Sequence, residues 1–99
     1  MASVSTHVLD TAAGRPAAGV SVELWRGEEQ VAAGATDADG RISDLSEGQA
    51  LGPGRYRLVF SDLPSRFFNR VELEVELGEG HHHVPLLVSP YSCASYRGS

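Results

Sequence analysis

Several residue types are scarce or absent in this 99-residue chain, and each absence excludes a class of protein. All eight basic residues are scattered arginines, against 13 acidic residues and a net charge of −5. Because nucleic-acid sites and membrane-surface sites need clustered positive charge, neither nucleic acid nor a membrane is an expected partner. The longest apolar run falls far short of a membrane span. The single cysteine, Cys93, excludes an intrachain disulfide framework.

Compartment and size follow from the same composition. Residues 1–4 lack the charged and apolar regions of a signal peptide, and a lone cysteine suits a reducing compartment, so we expect a cytoplasmic protein. The hydrophobic fraction of 41% supports one core, and one domain over residues 1–99 is expected. A domain this small buries a low fraction of its surface, which favours oligomerisation.

Alternation of apolar and other residues with a period of two is the dominant pattern. It is clearest over 20–25 and over 71–77, where three glutamates, Glu72, Glu74 and Glu76, predict a solvated strand face. The other strand candidates are 4–9, 31–36, 55–60, 81–89 and 91–97. Strands at this spacing predict an all-β sandwich of two antiparallel sheets. Only 44–51 and 61–68 offer room for a helix, so at most one short helix is expected.

A run of three histidines carries the most conspicuous chemistry. In an extended strand, His81 and His83 face one way and His82 the other, so two imidazoles lie side by side on one surface. This arrangement suits metal binding or proton transfer, and it also occurs on solvated strands that have no function. His7 adds a fourth imidazole in the first strand candidate, but the sequence alone does not place it near the others.

The remaining motifs point to turns and to the end of the chain. Residues 36–41, Thr-Asp-Ala-Asp-Gly-Arg, predict a tight turn with Arg41 on its far side; the other ligand positions of a calcium loop are absent. No Gly-x-Ser-x-Gly elbow and no Cys-x-x-Cys pair is present. Residues 96–99, Tyr-Arg-Gly-Ser, concentrate polar chemistry where most domains fray, so this tail is a candidate site.

Five segments resemble the transthyretin-related 5-hydroxyisourate hydrolases, in order and over nearly the whole chain. They are 5–11 (Ser-Thr-His-Val-Leu-Asp-Thr), 14–17 (Gly-Arg-Pro-Ala), 36–41, 81–91 with its His-x-His-Val-Pro-Leu-Leu, and the closing 96–99. The closing tetrapeptide and the paired histidines separate these hydrolases from the hormone-carrying transthyretins, which are similar in fold.

The resemblance implies a fold, an assembly and a site. The fold is a transthyretin-like sandwich of two antiparallel four-stranded sheets, assembled as a homotetramer (a dimer of dimers) with active sites in the channel between the dimers. The residues that line this channel in the family correspond here to His7, Arg41, His83 and Ser99. Tyr96, Arg97 and Gly98 would shape the channel wall and bind substrate, with Gly98 leaving room for the ligand. Neither a cofactor nor a metal is implied.

The implied reaction is the hydrolytic opening of 5-hydroxyisourate, the product of urate oxidation, to 2-oxo-4-hydroxy-4-carboxy-5-ureidoimidazoline. Attack of water on a ring carbonyl needs a proton acceptor, a donor for the oxyanion and a proton for the departing nitrogen. His7 and His83 suit water activation and proton transfer, in either order. Arg41 suits the anionic purine and the developing charge. Ser99 and its carboxylate suit orienting water or a histidine.

This chain departs from the family pattern at a few positions, and two other functions stay open. The segment between Phe60 and Phe67 is shorter than usual, so the family's short helix is expected to be lost or abbreviated. His82 stands where Tyr is common, Asn69 where Pro is usual, and Cys93-Ala94 in place of Tyr-Ser. One alternative is a non-catalytic transthyretin-like protein that binds a small aromatic ligand. The other is a metal protein with ligands His7, His81 and His83.

Overall fold

The computed structural model describes residues 1–98, which form strands joined by turns and bends. In chain order the strands are β1 (Ala2–Asp10), β2 (Arg15–Pro16), β3 (Ser21–Arg26), β4 (Glu29–Ala35), β5 (Arg41–Ile42), β6 (Gly54–Ser61), β7 (Arg70–Leu77), β8 (Gly80–His83), β9 (Leu86–Val88) and β10 (Cys93–Ser95). Two sheets contain them, and the predicted all-β sandwich is confirmed. Within the described residues, no helix is long and apolar enough to cross a membrane.

One sheet is antiparallel throughout, with the strand order β4-β3-β6-β7. Its inner face is apolar, since Val22, Leu24 and Phe60 are completely buried. The three glutamates of β7 are exposed, as the period of two predicts. Hydrogen bonds from Arg57 and then Arg70 lower the pKa of the Glu72 carboxyl, which keeps this outer face charged. This sheet is the four-stranded antiparallel sheet that the resemblance implies.

The second sheet is built around β1 and is mixed in direction. On one side β1 pairs in parallel with β8 and then with β9, and β10 pairs antiparallel with β9. The other side carries β5 and β2, both antiparallel to β1. The sheet is therefore four positions wide, and the two positions next to β1 are each divided into two shorter strands. The predicted antiparallel pairing therefore holds for most of the two sheets, and the exceptions are the parallel pairs of β1 with β8 and β9.

The division of the predicted strand 81–89 has a local cause. The chain leaves the strand conformation at Val84 and Pro85, between β8 and β9. Proline has no backbone N–H for a ladder hydrogen bond, so pairing with β1 is interrupted there. Val84 still donates its N–H to Ser5 O at 2.9 Å and accepts the Thr6 hydroxyl at 2.6 Å, which keeps both halves beside β1.

Neither candidate helix forms. In 44–51, Asp44 accepts backbone N–H groups of Ser46 and Gly48, and Glu47 and Gly48 have positive φ angles of 49° and 79°. Because a right-handed helix needs negative φ at every residue, the chain stops after a turn. In 61–68, the Ser65 hydroxyl accepts the N–H groups of the next aromatic pair in the same way. The expected loss of the family's helix is confirmed for this segment.

Candidate active site

One face of β1 carries polar side chains at alternate positions: Ser3, Ser5 and His7. Val4 and Thr6, which alternate with them, and Val8, which follows His7, are buried on the other side. Because successive side chains of a strand point to opposite faces, burial of the valines turns the serines and the histidine to the outer face of the sheet. The register of β1 therefore decides where His7 lies.

Strand pairing brings the other predicted groups to the same face. The parallel register of β1 and β8 places His81 beside Ser3 and His83 beside Ser5. The antiparallel register of β1 and β5 places Arg41 beside His7. Three of the four predicted catalytic residues, His7, Arg41 and His83, thus come from three strands and meet on one surface.

The facing of the three histidines is as the alternation predicts. His81 and His83 both bond to Ser5 Oγ: His81 through Nε2 at 2.8 Å and His83 through Nδ1 at 2.8 Å. The Nδ1 atom of His81 also lies 2.6 Å from Ser3 Oγ. His82 points the other way, is buried, and bonds through Nε2 to Gly78 O at 3.1 Å.

The charge on His83 is controlled by its surroundings. Burial lowers the pKa of this imidazole first, and electrostatic interactions with His7, Arg41 and His81 lower it further. A histidine whose pKa is depressed is neutral at neutral pH and can accept a proton there. His83 is therefore suited to the role of a general base.

His7 differs from the other site histidines in its hydrogen bonding. Its Nε2 atom is buried and has no hydrogen-bond partner among residues 1–98. Buried polar atoms are nearly always paired, so an unpaired one calls for an explanation such as a catalytic role or contact with water. The free nitrogen beside Arg41 marks this end of the cluster as a candidate point of substrate or water contact.

The tail meets the site through Gly98. Its N–H donates to His83 O at 2.8 Å, and a Cβ placed on it would lie 2.6 Å from His83 Cδ2. Glycine is therefore required here for close contact with the His83 ring; its role in leaving room for the ligand, which the resemblance implies, stays a prediction. Ser99, the fourth predicted catalytic residue, lies outside the described residues.

Tyr96 and Arg97 do not join the histidine cluster within the single chain. They line a groove of about 320 Å³ together with β7 and His82, and neither His7, Arg41 nor His83 lines that groove. Their predicted role in the channel wall, which lies between subunits, stays a prediction. Tyr96 and Arg97 thus share a groove with His82, whereas Gly98, the next residue, contacts His83.

The donor set gives little support to the three-histidine metal site. Both ring nitrogens of His81 already bond to serine hydroxyls. Over residues 1–98, no group of three or more His, Cys, Asp or Glu side chains is arranged to hold a metal ion.

The sequence analysis did not identify Ser3 and Ser5 as site residues. They precede His7 by four and two positions, and this spacing places them on the same strand face as His7.

The chain is similar to known proteins over nearly its whole length. Residues 4–98 match the model of the HIUase/Transthyretin family. The chain belongs to this family. The 5-hydroxyisourate hydrolase of Caulobacter vibrioides is 42% identical over 116 aligned positions, which cover all of both proteins.

Solved structures of the family agree in fold. The structure of Klebsiella pneumoniae 5-hydroxyisourate hydrolase matches with a TM-score of 0.89 and 38% identity over all of both chains. Sea bream transthyretin in complex with thyroxine matches with a TM-score of 0.85 and 27% identity over 96% of this chain and 93% of that one. The prediction of a transthyretin-like hydrolase, an enzyme of urate degradation, is confirmed by the similarity to the hydrolases.

Proposed function

We propose that this protein hydrolyses 5-hydroxyisourate to 2-oxo-4-hydroxy-4-carboxy-5-ureidoimidazoline. One observation carries the proposal: strand pairing brings His7, Arg41 and His83 to one face of the β1 sheet, in a chain about 40% identical to named hydrolases of this substrate. These three groups supply the proton acceptor, the positive charge and the proton donor that opening of a cyclic amide needs.

In the proposed mechanism, His83 activates water. Its Nδ1 atom is held by Ser5 Oγ at 2.8 Å, which orients the ring and leaves Nε2 for the proton of the attacking water. The lowered pKa of His83, caused by burial and then by neighbouring positive charges, keeps that nitrogen unprotonated at neutral pH. The water oxygen then attacks a ring carbonyl as its proton moves to Nε2.

Arg41 and His7 act on the charges that this attack creates. Arg41 holds the anionic purine and stabilises the oxyanion, since a guanidinium keeps its charge throughout and donates several hydrogen bonds. His7, beside it in the register, donates a proton to the ring nitrogen as the C–N bond breaks. Ser99, which follows Gly98 in the sequence, orients water or a histidine in this proposal.

We also propose that the working form is a cytoplasmic homotetramer. Within the single chain, Arg41 is exposed on an open sheet face, and closing an active site expels bulk water and strengthens its electrostatic interactions. A second copy of the chain packed over the Arg41 end of this face would close the site and leave His81 and Ser3 at its solvent side. Sedimentation that found a fully active monomer would contradict the tetramer.

The test generates 5-hydroxyisourate from urate with urate oxidase and follows its ultraviolet decay. The wild-type protein is expected to accelerate the decay, and Arg41→Ala or His7→Asn to lower kcat by about 10² or more with an intact fold. Unaccelerated decay, together with binding of a substrate analogue, would favour the alternative of a small-ligand binding protein.

A further inference from the structure

A continuous chain of hydrogen bonds leads from His83 to the surface. Ser5 Oγ lies 2.8 Å from His83 Nδ1 and 2.8 Å from His81 Nε2, and His81 Nδ1 lies 2.6 Å from Ser3 Oγ. Ser5 is 8% exposed, whereas His81 belongs to the exposed residues. The chain therefore joins a buried hydroxyl beside His83 to an imidazole and a second hydroxyl that reach solvent.

The chemistry of these groups makes the chain directional. A hydroxyl has one proton to donate, and a neutral imidazole donates from one nitrogen and accepts at the other. If His83 donates from Nδ1 to Ser5, then Ser5 donates to His81 Nε2 and His81 donates from Nδ1 to Ser3. If one hydrogen bond changes its donor and acceptor, all the others in the chain must change theirs as well. The protonation of His83 is thus coupled to that of His81 through Ser5.

We propose that Ser5 and His81 form a proton relay that moves the Nδ1 proton of His83 to solvent while Nε2 takes a proton from water. This inference rests on the proposed hydrolysis, and it makes Ser5 and His81 positioning residues that act through His83. As water attacks, its proton binds Nε2; the Nδ1 proton passes to Ser5 Oγ, the Ser5 proton to His81 Nε2, the His81 Nδ1 proton to Ser3 Oγ, and the Ser3 proton to solvent.

Each step balances, since every group gains one proton and loses one. No imidazolium persists at the end, and the direction of all the hydrogen bonds is reversed. The chain returns to its first direction once Nε2 releases its proton to the opened product or to solvent and a proton enters at Ser3.

The relay keeps the His83 ring neutral when it takes up a proton. The titratable and charged groups that act on His83 are His7 from β1, Arg41 from β5 and His81 from its own strand, and all of them disfavour a positive charge on the ring. A base that keeps both protons would become a cation beside the Arg41 guanidinium. Loss of the Nδ1 proton as Nε2 is protonated leaves the ring neutral, so proton uptake does not oppose the nearby charges.

The kinetic test uses His81→Ala, an exposed position where truncation leaves the core intact. We expect kcat to fall about tenfold, a modest share of the usual general-base contribution, while KM changes less than about twofold. Imidazole added to the assay should restore kcat in a concentration-dependent way, because it can take the place of the lost ring beside Ser5. A structural defect would not respond to imidazole.

Matched variants define the controls. Ser5→Ala should lose kcat without rescue by imidazole, since the buried hydroxyl is missing, whereas Ser5→Thr should retain most of the activity. His82→Gln changes the neighbouring histidine on the opposite face and should keep wild-type kcat and show no imidazole effect. Wild-type kcat in His81→Ala, or a loss that imidazole leaves unchanged, would overturn the relay.

A measurement without substrate separates the relay from the hydrolysis. Nitrogen-15 NMR of the imidazoles should show that His81 and His83 change tautomer together in the wild type and independently in Ser5→Ala. Independent behaviour in the wild type would overturn the relay whatever the activity. If the rings are coupled but the wild type does not accelerate decay of 5-hydroxyisourate, the proposed function fails while the coupled pair stands.

Discussion

Replacement of Gly98 by alanine tests whether the tail positions the His83 ring. The new Cβ would lie 2.6 Å from Cδ2 and 3.2 Å from Cβ and Cγ of His83, whereas ordinary contact begins near 3.4 Å. About 0.8 Å of separation must therefore be created between the tail and the ring. Because the Gly98 N–H is bonded to His83 O at 2.8 Å, the two backbones resist separation and the imidazole is expected to move.

A displacement of this size is large for catalysis and small for stability. Misplacement of a catalytic group by about 1 Å can lower a rate by about 10². We expect Gly98→Ala to lower kcat by about 10- to 100-fold, which corresponds to about 1.4 to 2.7 kcal/mol in the activation free energy. Overpacking a core usually costs about 1–3 kcal/mol, but Gly98 and His83 lie outside the hydrophobic core, so the unfolding free energy should fall by less than about 1 kcal/mol.

The assay follows 5-hydroxyisourate decay with thermal unfolding measured on the same samples. Gly78→Ala is the matched control, because a Cβ placed on Gly78 would meet no atom within 4 Å and the φ of this residue is not positive. That control should keep wild-type kcat. If Gly98→Ala also kept wild-type kcat, with the imidazole signals of His83 unchanged in NMR spectra, the argument that the tail positions this ring would be refuted.

Four further predictions concern the site and the core. Burial and neighbouring positive charges lower the pKa of His83, so kcat/KM should decline on the acid side with an apparent pKa below the ordinary value near 6.5, and Arg41→Gln should raise it. Since the folded state resists protonation of this ring, its contribution to stability is undiminished above pH 6.5 and falls as pH decreases from there to the lowered pKa; urea titrations check this. Phe60 is completely buried, so Phe60→Ala should reduce the unfolding free energy by about 3–5 kcal/mol. Phe67 is 62% exposed, so Phe67→Ala should reduce it by less than about 0.5 kcal/mol. Exhaustive chelation should leave kcat unchanged; a loss that zinc restores would support the three-histidine metal site.

The strands could be predicted because their signal is local. Alternation over 71–77 needs only adjacent residues, and β7 spans Arg70–Leu77 with its glutamates exposed. The same local reasoning fails where backbone hydrogen bonding decides the outcome. The helix candidate at 44–51 has suitable composition, but Asp44 captures backbone N–H groups and Glu47 takes a positive φ, neither of which periodicity reveals.

The site could be predicted only in part, because its groups are far apart in sequence. Ser5 and His83 are 78 positions apart and meet through parallel pairing, which a single sequence does not specify. The residues themselves came from the family resemblance, which named His7, Arg41 and His83 without the serines between them. The resemblance also grouped Tyr96 and Arg97 with the histidines, whereas one chain places them in a separate groove.

The relative positions of the site side chains depend on the core beneath them. Val4 and Val8 are completely buried on the inner side of β1, and a slip of one residue in that strand would exchange them with Ser5 and His7. Burial of each valine is worth about 1.5–3 kcal/mol, so the slipped register is strongly disfavoured. The same valines that stabilise the sandwich therefore hold His7 beside Arg41 and Ser5 beside His83, and a substitution that weakens their burial should loosen the catalytic geometry before the fold is lost.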